Sequence, residues 1–251
     1  MITLKNKNVL VTGGSRGIGK ACVELFLKAG ANVAFTYNFA KKEADKIIND
    51  YKKSSKIKCY ILNLANTNGI EKKVKQLLSD FGNIDILINN AGIWKEAAID
   101  KMTIEEWNEM MNVNLTSTYL ITKLLVPKMK ENRFGRIINI ASTAGQRGEA
   151  FHSHYAASKG GMISLTKSLA AELGEYNITV NCVAPGWVIT DMTTDSLTEP
   201  DVYTKVLSDI PLNKIAQPEE IAGPVLFLAS HLASHITGEI LNVNGGSVLC
   251  G

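Results

Sequence analysis

Strand-length apolar runs and helical patterns take turns along this chain, and that alternation constrains its fold more than any other feature. The apolar runs are Val9 to Thr12, Asn32 to Tyr37, Ile57 to Leu62, Ile84 to Asn89, Arg136 to Ile140, Thr179 to Val183 and Glu239 to Val243. Between them the spacing of apolar residues predicts helices near Gly17 to Ala29, Lys41 to Lys53, Ile70 to Phe81, Ile104 to Glu131, Tyr155 to Glu175 and Pro218 to Ala229. Strands joined through helices run parallel, so the expected architecture is α/β: a doubly wound parallel sheet of about seven strands with helices on both faces. Right-handed crossovers bring the loops that follow the strands to one edge, where such sheets bind ligands. Gly13, Asn63, Asn89, Ser142 and Pro185 each follow a predicted strand and gather along that edge.

No Pro/Ser/Gly-rich linker, fixed-period repeat or low-complexity tract interrupts the pattern. With 45% hydrophobic residues, the 251-residue chain is expected to be one domain, residues 1–251, around a single core. A net charge of +3 is mild, and Lys41-Lys42, Lys52-Lys53 and Lys72 to Lys75 read as solvated helix faces, which gives no case for nucleic acid. No apolar run reaches the roughly 18 residues of a membrane span, and Met1 to Lys7 has no signal-peptide core. A cytoplasmic location is the expectation. Cys22, Cys59, Cys182 and Cys250 show no paired spacing, and no third ligand accompanies His152 and His154 or His231 and His235, so no metal is expected.

The first predicted strand, Asn8 to Thr12, runs into Gly13-Gly14-Ser15-Arg16-Gly17-Ile18-Gly19 and then into a helical pattern. Strand, glycine turn and helix form a phosphate-binding arrangement, because glycine lets the backbone approach a pyrophosphate at the helix N-terminus. The spacing Gly-x3-Gly-x-Gly is not the Gly-x-Gly-x2-Gly fingerprint.

Tyr155 and Lys159 are spaced to share one helix face, with Ser142 upstream at the end of the Arg136 to Ala141 stretch. A phenol near its ordinary pKa of about 10 needs roughly 4 kcal/mol to reach neutrality. One positive charge about 6 Å away supplies roughly 3 kcal/mol at an effective dielectric near 20. Lys159 is therefore expected to bring Tyr155 most of the way, and an oxidised nicotinamide would be the second cation.

Thr12-Gly13-x3-Gly17-x-Gly19, Asn89-Asn90-Ala91-Gly92, Asn114, Ser142, Tyr155-x3-Lys159 and Pro185-Gly186 together resemble the short-chain dehydrogenase/reductase family, with a Rossmann-type fold, across essentially the whole chain. Gly135 to Ser142 and Ile236 to Gly246 look most like the 3-oxoacyl-[acyl-carrier-protein] reductases within it. The resemblance implies that Ser142 bonds the substrate carbonyl, Tyr155 is the acid, Lys159 supports Tyr155 and the nicotinamide ribose, and Asn114 joins a proton relay; a plain polar-face asparagine is the competing reading of Asn114. It further implies that the glycine turn from Gly13 through Ser15, Arg16, Gly17, Ile18 and Gly19 holds phosphate. Asn63 and Leu64 would meet adenine, Asn90, Ala91 and Gly92 the adenosine and ribose, and Pro185, Gly186, Val188 and Thr190 the nicotinamide end. Asn89 reads as a strand-end hydrogen-bonding residue.

No acidic residue stands between Val33 and Lys42. Asn38 and its neighbours leave room for a 2′-phosphate, for which Arg16 offers a fork and Lys41 a nearby charge. NADP(H) is favoured and NAD(H) remains possible; Arg16 as a solvated loop charge is the other reading. Trp94, Gln146, Phe151, His152, His154 and Trp187 follow strand-end motifs and are expected around the substrate, although the aromatics could be ordinary packing. A polar segment near 191–212 corresponds to a substrate lid in related enzymes.

The resemblance implies a ketone on a small molecule or a carrier-bound thioester, with acyl carrier protein as a possible partner. Ala171 and Ile93-Trp94-Lys95-Glu96 depart from the carrier-reductase pattern, and Lys130, Arg133 and Arg136 remain as basic contacts. A sugar, polyol or secondary-alcohol dehydrogenase, and a non-catalytic NADP(H) sensor, stay open. Enoyl reductases of the superfamily resemble Tyr-x6-Lys instead. Relatives are usually homotetramers, built on the helices around Asn114 and Tyr155 and on the last strand.

Overall fold

Val9 and Val11 pack on one face of the first strand and Leu10 on the other, as the period of two requires when both faces of a sheet are covered. The computed structural model describes residues 2–53 and 56–249. Cys250 and the end of the C-terminal tail lie outside them, as do expectations that involve them. Seven parallel strands, β1 Asn8–Val11, β2 Asn32–Tyr37, β3 Ile57–Ile61, β4 Ile86–Asn89, β5 Gly135–Ile140, β6 Ile178–Pro185 and β7 Ile240–Val243, form one sheet in the order β3-β2-β1-β4-β5-β6-β7. The chain starts in the middle and winds outward in both directions, as the alternation predicts.

The face carrying Val9 and Val11 is covered by α1 Gly17–Lys28 and α10 Pro218–Ala229, through Cys22, Val23 and Phe26 of the first and Ile221 and Val225 of the second. The opposite face, with Leu10, Leu87 and Ile137, packs on α3 Ile70–Phe81, α5 Ser117–Glu131 and α7 Ser153–Leu173. Burial pushes the Cys22 thiol up to about 12 and the Cys182 thiol up to about 11, keeping both protonated as small core residues. Helix α2, Lys41–Tyr51, flanks β2 and β3.

The helix expected from Ile104 to Glu131 is interrupted. Helix α4, Ile104–Met111, ends in a π-turn at Asn112–Thr116 before α5 begins. Carbonyls of Val113 and Asn114 accept instead from the hydroxyls of Ser117 (2.7 Å) and Thr118 (3.2 Å). Such single π-turns recur at functional sites. The short helices α6 Ala144–Arg147, α8 Thr194–Thr198 and α9 Pro200–Ser208 had no predicted counterpart from periodicity alone; the last two fill the 191–212 segment.

A buried amide network fixes the helix layer to the sheet. Asn139 of β5 is fully buried, accepts from Asn89 Nδ2 of β4 at 2.9 Å and donates to Thr166 Oγ1 of α7 at 2.9 Å. Asn139→Ala should destabilise the fold by about 1–3 kcal/mol, because it leaves buried partners unsatisfied. The measurement is the urea midpoint at unchanged m value; an unmoved midpoint would refute this account.

Candidate active site

At the switch point between β1 and β4 the sheet opens into a cleft of about 410 Å³. Every residue expected at the dinucleotide lines it: Gly13, Ser15, Arg16, Gly17, Ile18, Gly19, Asn38, Asn63, Leu64, Asn90, Ala91, Gly92, Tyr155, Lys159, Pro185, Gly186, Val188 and Thr190. Phe39, Glu109, Met192 and Thr193 line it as well, and local sequence carries no signal for them.

The glycine turn is built for close approach. A Cβ on Gly19 would stand 2.1 Å from the Gly13 carbonyl oxygen, and Gly17, at φ +52, faces Thr190 across the cleft. No side chain caps the N-terminus of α1 and no acidic residue sits in its first turn, so its free amides and positive dipole end suit a pyrophosphate. Thr12 Oγ1 accepts from the amides of Asn90 and Ala91, both at 3.0 Å. Asn90 Nδ2 donates back to the Thr12 and Gly13 carbonyls at 2.9 and 3.1 Å. The Asn90 side chain thus braces the turn. The residues present fit a nicotinamide dinucleotide.

Ser142, Tyr155 and Lys159 share the far wall. Lys159 is buried and donates to the Ile140 carbonyl at 2.7 Å, with its Nζ 5.8 Å from the centre of the Tyr155 ring. Ser142 stands near enough to Tyr155 to lower the pKa of its phenol. Asn114 is buried behind the wall in the π-turn, pairing with Ile93 through Oδ1 (2.8 Å) and Nδ2 (3.1 Å) and with Ser158 Oγ at 3.1 Å. A Cβ on Gly92 would lie 3.3 Å from Asn114 Oδ1 and 3.5 Å from Lys159 Nζ, which places both polar ends around one point.

The expected effect of Lys159 on Tyr155 is not met by the protein groups alone. Burial pushes the phenol up to about 12, opposed by the Ser142 hydrogen bond and reinforced by the charge of Glu149. Burial likewise brings Lys159 down to about 8. Burial is the largest cause for both groups, since each leaves water in the wall of the cleft.

Of the residues expected around the substrate, none of Trp94, Gln146, His152 and Trp187 lines the cleft; Trp94, His152 and Trp187 cluster together, and Gln146 donates to Asn242 of β7 at 2.7 Å. His154 is buried, and burial lowers its pKa. Lys41 turns along its own helix to Asp45 at 2.6 Å. Arg136 is 4% exposed with its guanidinium on the Gly135 and Asn177 carbonyls, which withdraws it as a surface contact for a partner. Among the described residues no group of three His, Cys, Asp or Glu could hold a metal.

A family model described as enoyl-(acyl carrier protein) reductase matches residues 13–247. The 3-oxoacyl-[acyl-carrier-protein] reductase of Aquifex aeolicus is 42% identical over 248 residues, covering 98% of each chain. The chain belongs to the short-chain dehydrogenase/reductase family. It is an NAD(P)-dependent oxidoreductase acting on CH–OH groups. The enzyme of the same name from Thermotoga maritima is 39% identical over 247 residues, 98% of this chain and 99% of that one. In three dimensions the chain is similar to a protein from Beutenbergia cavernae provisionally named an NAD(P)-dependent gluconate 5-dehydrogenase, with NADP bound at low occupancy (TM-score 0.91, 31% identity, 98% of both chains). A provisionally named gluconate dehydrogenase from Agrobacterium tumefaciens gives a TM-score of 0.93 at 28% identity, again over 98% of both chains.

In the roles expected of them, Lys159 would act as ammonium and Tyr155 as phenol in carbonyl reduction. With Lys159 at about 8 and Tyr155 at about 12, kcat/KM for reduction should be level near neutrality and fall above pH about 8, since this parameter reports groups of the free enzyme. A profile level to pH 10 would show that Lys159 keeps its proton and refute the assignment.

Proposed function

We propose that the enzyme reduces a 3-oxoacyl thioester to the 3-hydroxyacyl thioester with NADPH. The observation that carries this reading is the convergence of Ser142, Tyr155 and Lys159 on one wall of the dinucleotide cleft, in a chain about 40% identical to carrier-protein ketoreductases over nearly its whole length.

The cofactor, when bound, supplies the hydride that converts the carbonyl carbon to a secondary alcohol. Ser142 donates to the carbonyl oxygen, a bond that strengthens as negative charge develops there. Tyr155 gives its proton to that oxygen, and its high pKa in the buried wall keeps it protonated for the task. Lys159 places a positive charge beside the phenolate so formed, and Asn114 joins a water-linked relay to Lys159. The residues from Gly13 to Gly19 hold the pyrophosphate, and Thr190 and Val188 orient the nicotinamide end.

NADPH is favoured because the end of β2 carries Tyr37-Asn38-Phe39 and no carboxylate. Arg16 is exposed and 3.6 Å from the equally exposed Asp191; such a pair contributes little, so Arg16 is free to turn to a 2′-phosphate. NADH is accepted more weakly on this reading. The substrate reaches the site on a small thioester or on acyl carrier protein, in the cytoplasm. Helices α8 and α9, packed with Trp187 through Leu197 of the first and Val206 of the second, form the lid. Four copies assemble through α5, α7 and the edge strand β7.

The test is absorbance loss of reduced nicotinamide with an acetoacetyl thioester, comparing NADPH with NADH. Turnover should be faster with NADPH, and Arg16→Ala should narrow that preference. Tyr155→Phe should cut turnover by roughly 10²–10⁴-fold while NADPH binding persists; near-wild-type turnover in this variant would remove Tyr155 as the acid. Reduction of sugar-acid ketones but not of the thioester would move the substrate class to that of the structural neighbours. A binding-competent protein inert on all ketones would favour the sensor reading. A monomeric mass at micromolar concentration would overturn the tetramer.

A further inference from the structure

Three aromatic rings and one carboxylate meet next to residues that line the cleft, and the chemistry above uses none of them. Trp94 stacks flat on His152, with centroids 4.5 Å apart and planes 4° from parallel. Trp187 meets Trp94 edge-on at 5.8 Å. Glu149 ties the stack together: its Oε1 accepts from Trp94 Nε1 at 3.2 Å and lies 3.7 Å from His152 Nδ1. These side chains come from the loops after β4, β5 and β6, so the cluster crosses the strand ends that build the cleft. Ile93 before Trp94, and Gly186 and Val188 on either side of Trp187, line that cleft.

The backbone beneath is held as firmly. The Ala97 amide donates to the Phe151 carbonyl at 2.8 Å, joining the loop after β4 to the loop after β5. Phe151 itself has φ +62, a left-handed conformation that a bulky residue keeps only where its surroundings over-determine it.

We propose that Glu149 is a positioning and specificity residue, which holds the Trp94–His152 slab as one wall of the substrate site and restricts the site to ketones without an anionic group next to the carbonyl. The inference rests on the ketone-reduction reading and narrows it. The slab offers a flat, apolar face to a neutral acyl group. Its indole N–H is already taken by Glu149. Lys95, the adjacent cation in sequence, is engaged by Glu109 at 2.6 Å, and Arg147 is exposed. A carboxylate on the substrate would bring a second negative charge toward Glu149, with Lys159 at the carbonyl end as the cation of the cleft, and like charges several ångströms apart under strong screening disfavour binding by roughly tenfold. The influence of Glu149 on Tyr155 shows that its field extends to the reacting end of the site. A thioester carries no such charge, whereas gluconate-type substrates do.

Ethyl acetoacetate and acetoacetate present the same ketone with and without the neighbouring charge, and their NADPH-dependent reduction tests the proposal. The wild-type enzyme should prefer the ester, by kcat/KM, roughly tenfold or more. Glu149→Gln keeps an oxygen acceptor for Trp94 and removes the charge, so the ratio should collapse by roughly tenfold. Glu149→Ala should also raise KM for the ester more than it lowers kcat, and alter tryptophan emission as the stack loosens. In oxidation of ethyl 3-hydroxybutyrate, the alkaline rise governed by Tyr155 should shift to lower pH in Glu149→Gln, because the charge that raises the phenol is gone. The same ester-to-acid ratio in wild type and Glu149→Gln would overturn the proposal and leave ketone reduction standing. Reduction of neither compound by the wild type would overturn both.

Discussion

The site hangs on one hydrogen bond, from the buried Lys159 ammonium to the last carbonyl of β5. A buried cation deprived of such an acceptor costs several kcal/mol, so α7 cannot slide along the sheet without orphaning it. Asn139, one residue before that carbonyl, holds Thr166 two turns further along the same helix face. Pinned at both points, α7 presents Tyr155 one turn before Lys159, while Ser142 follows the strand by two residues. Helix and strand end thus converge without any loop having to find its own position. The same burial that makes the anchor rigid leaves its charge only just stable near neutrality.

Much of this was legible in the residues. The alternation of apolar runs with helical patterns locates each strand to within two residues or so, because parallel strands buried on both faces read as unbroken apolar runs. The cleft residues were legible for a related reason: topology alone sends everything that follows a strand to one edge. What pattern cannot show is direction. Gln146 and His152 both follow β5, yet one turns to Asn242 and the other to Trp94. Arg136 reads as a surface cation and is buried, since its guanidinium finds backbone carbonyls that only the folded chain brings near. Glu149 carries no local signal; its meaning comes from two side chains on different loops. For the phenol, spacing gives the attraction between charges but says nothing of the water that burial removes, which raises its pKa in the protein alone.

The chain resembles proteins named for different substrates, 3-oxoacyl-[acyl-carrier-protein] by sequence and gluconate by shape. That is expected where one scaffold hosts many chemistries. The sheet, the glycine turn and the Tyr155–Lys159 face answer only what every member must do with a dinucleotide. The loops that follow β4 and β5 are cross-linked here by Trp94, Glu149, His152 and the Ala97–Phe151 backbone bond.

The π-turn at Asn112–Thr116 makes the length of the 104–131 segment as consequential as its composition. The wider turn takes up an extra residue between α4 and α5 and sets Asn114 where both ends of its amide pair with Ile93. Removing one residue there would close the turn into a regular helix and displace Asn114 from that pairing. Substitutions along this segment can be absorbed one at a time, whereas a change in its count is felt at the cleft and in the core together.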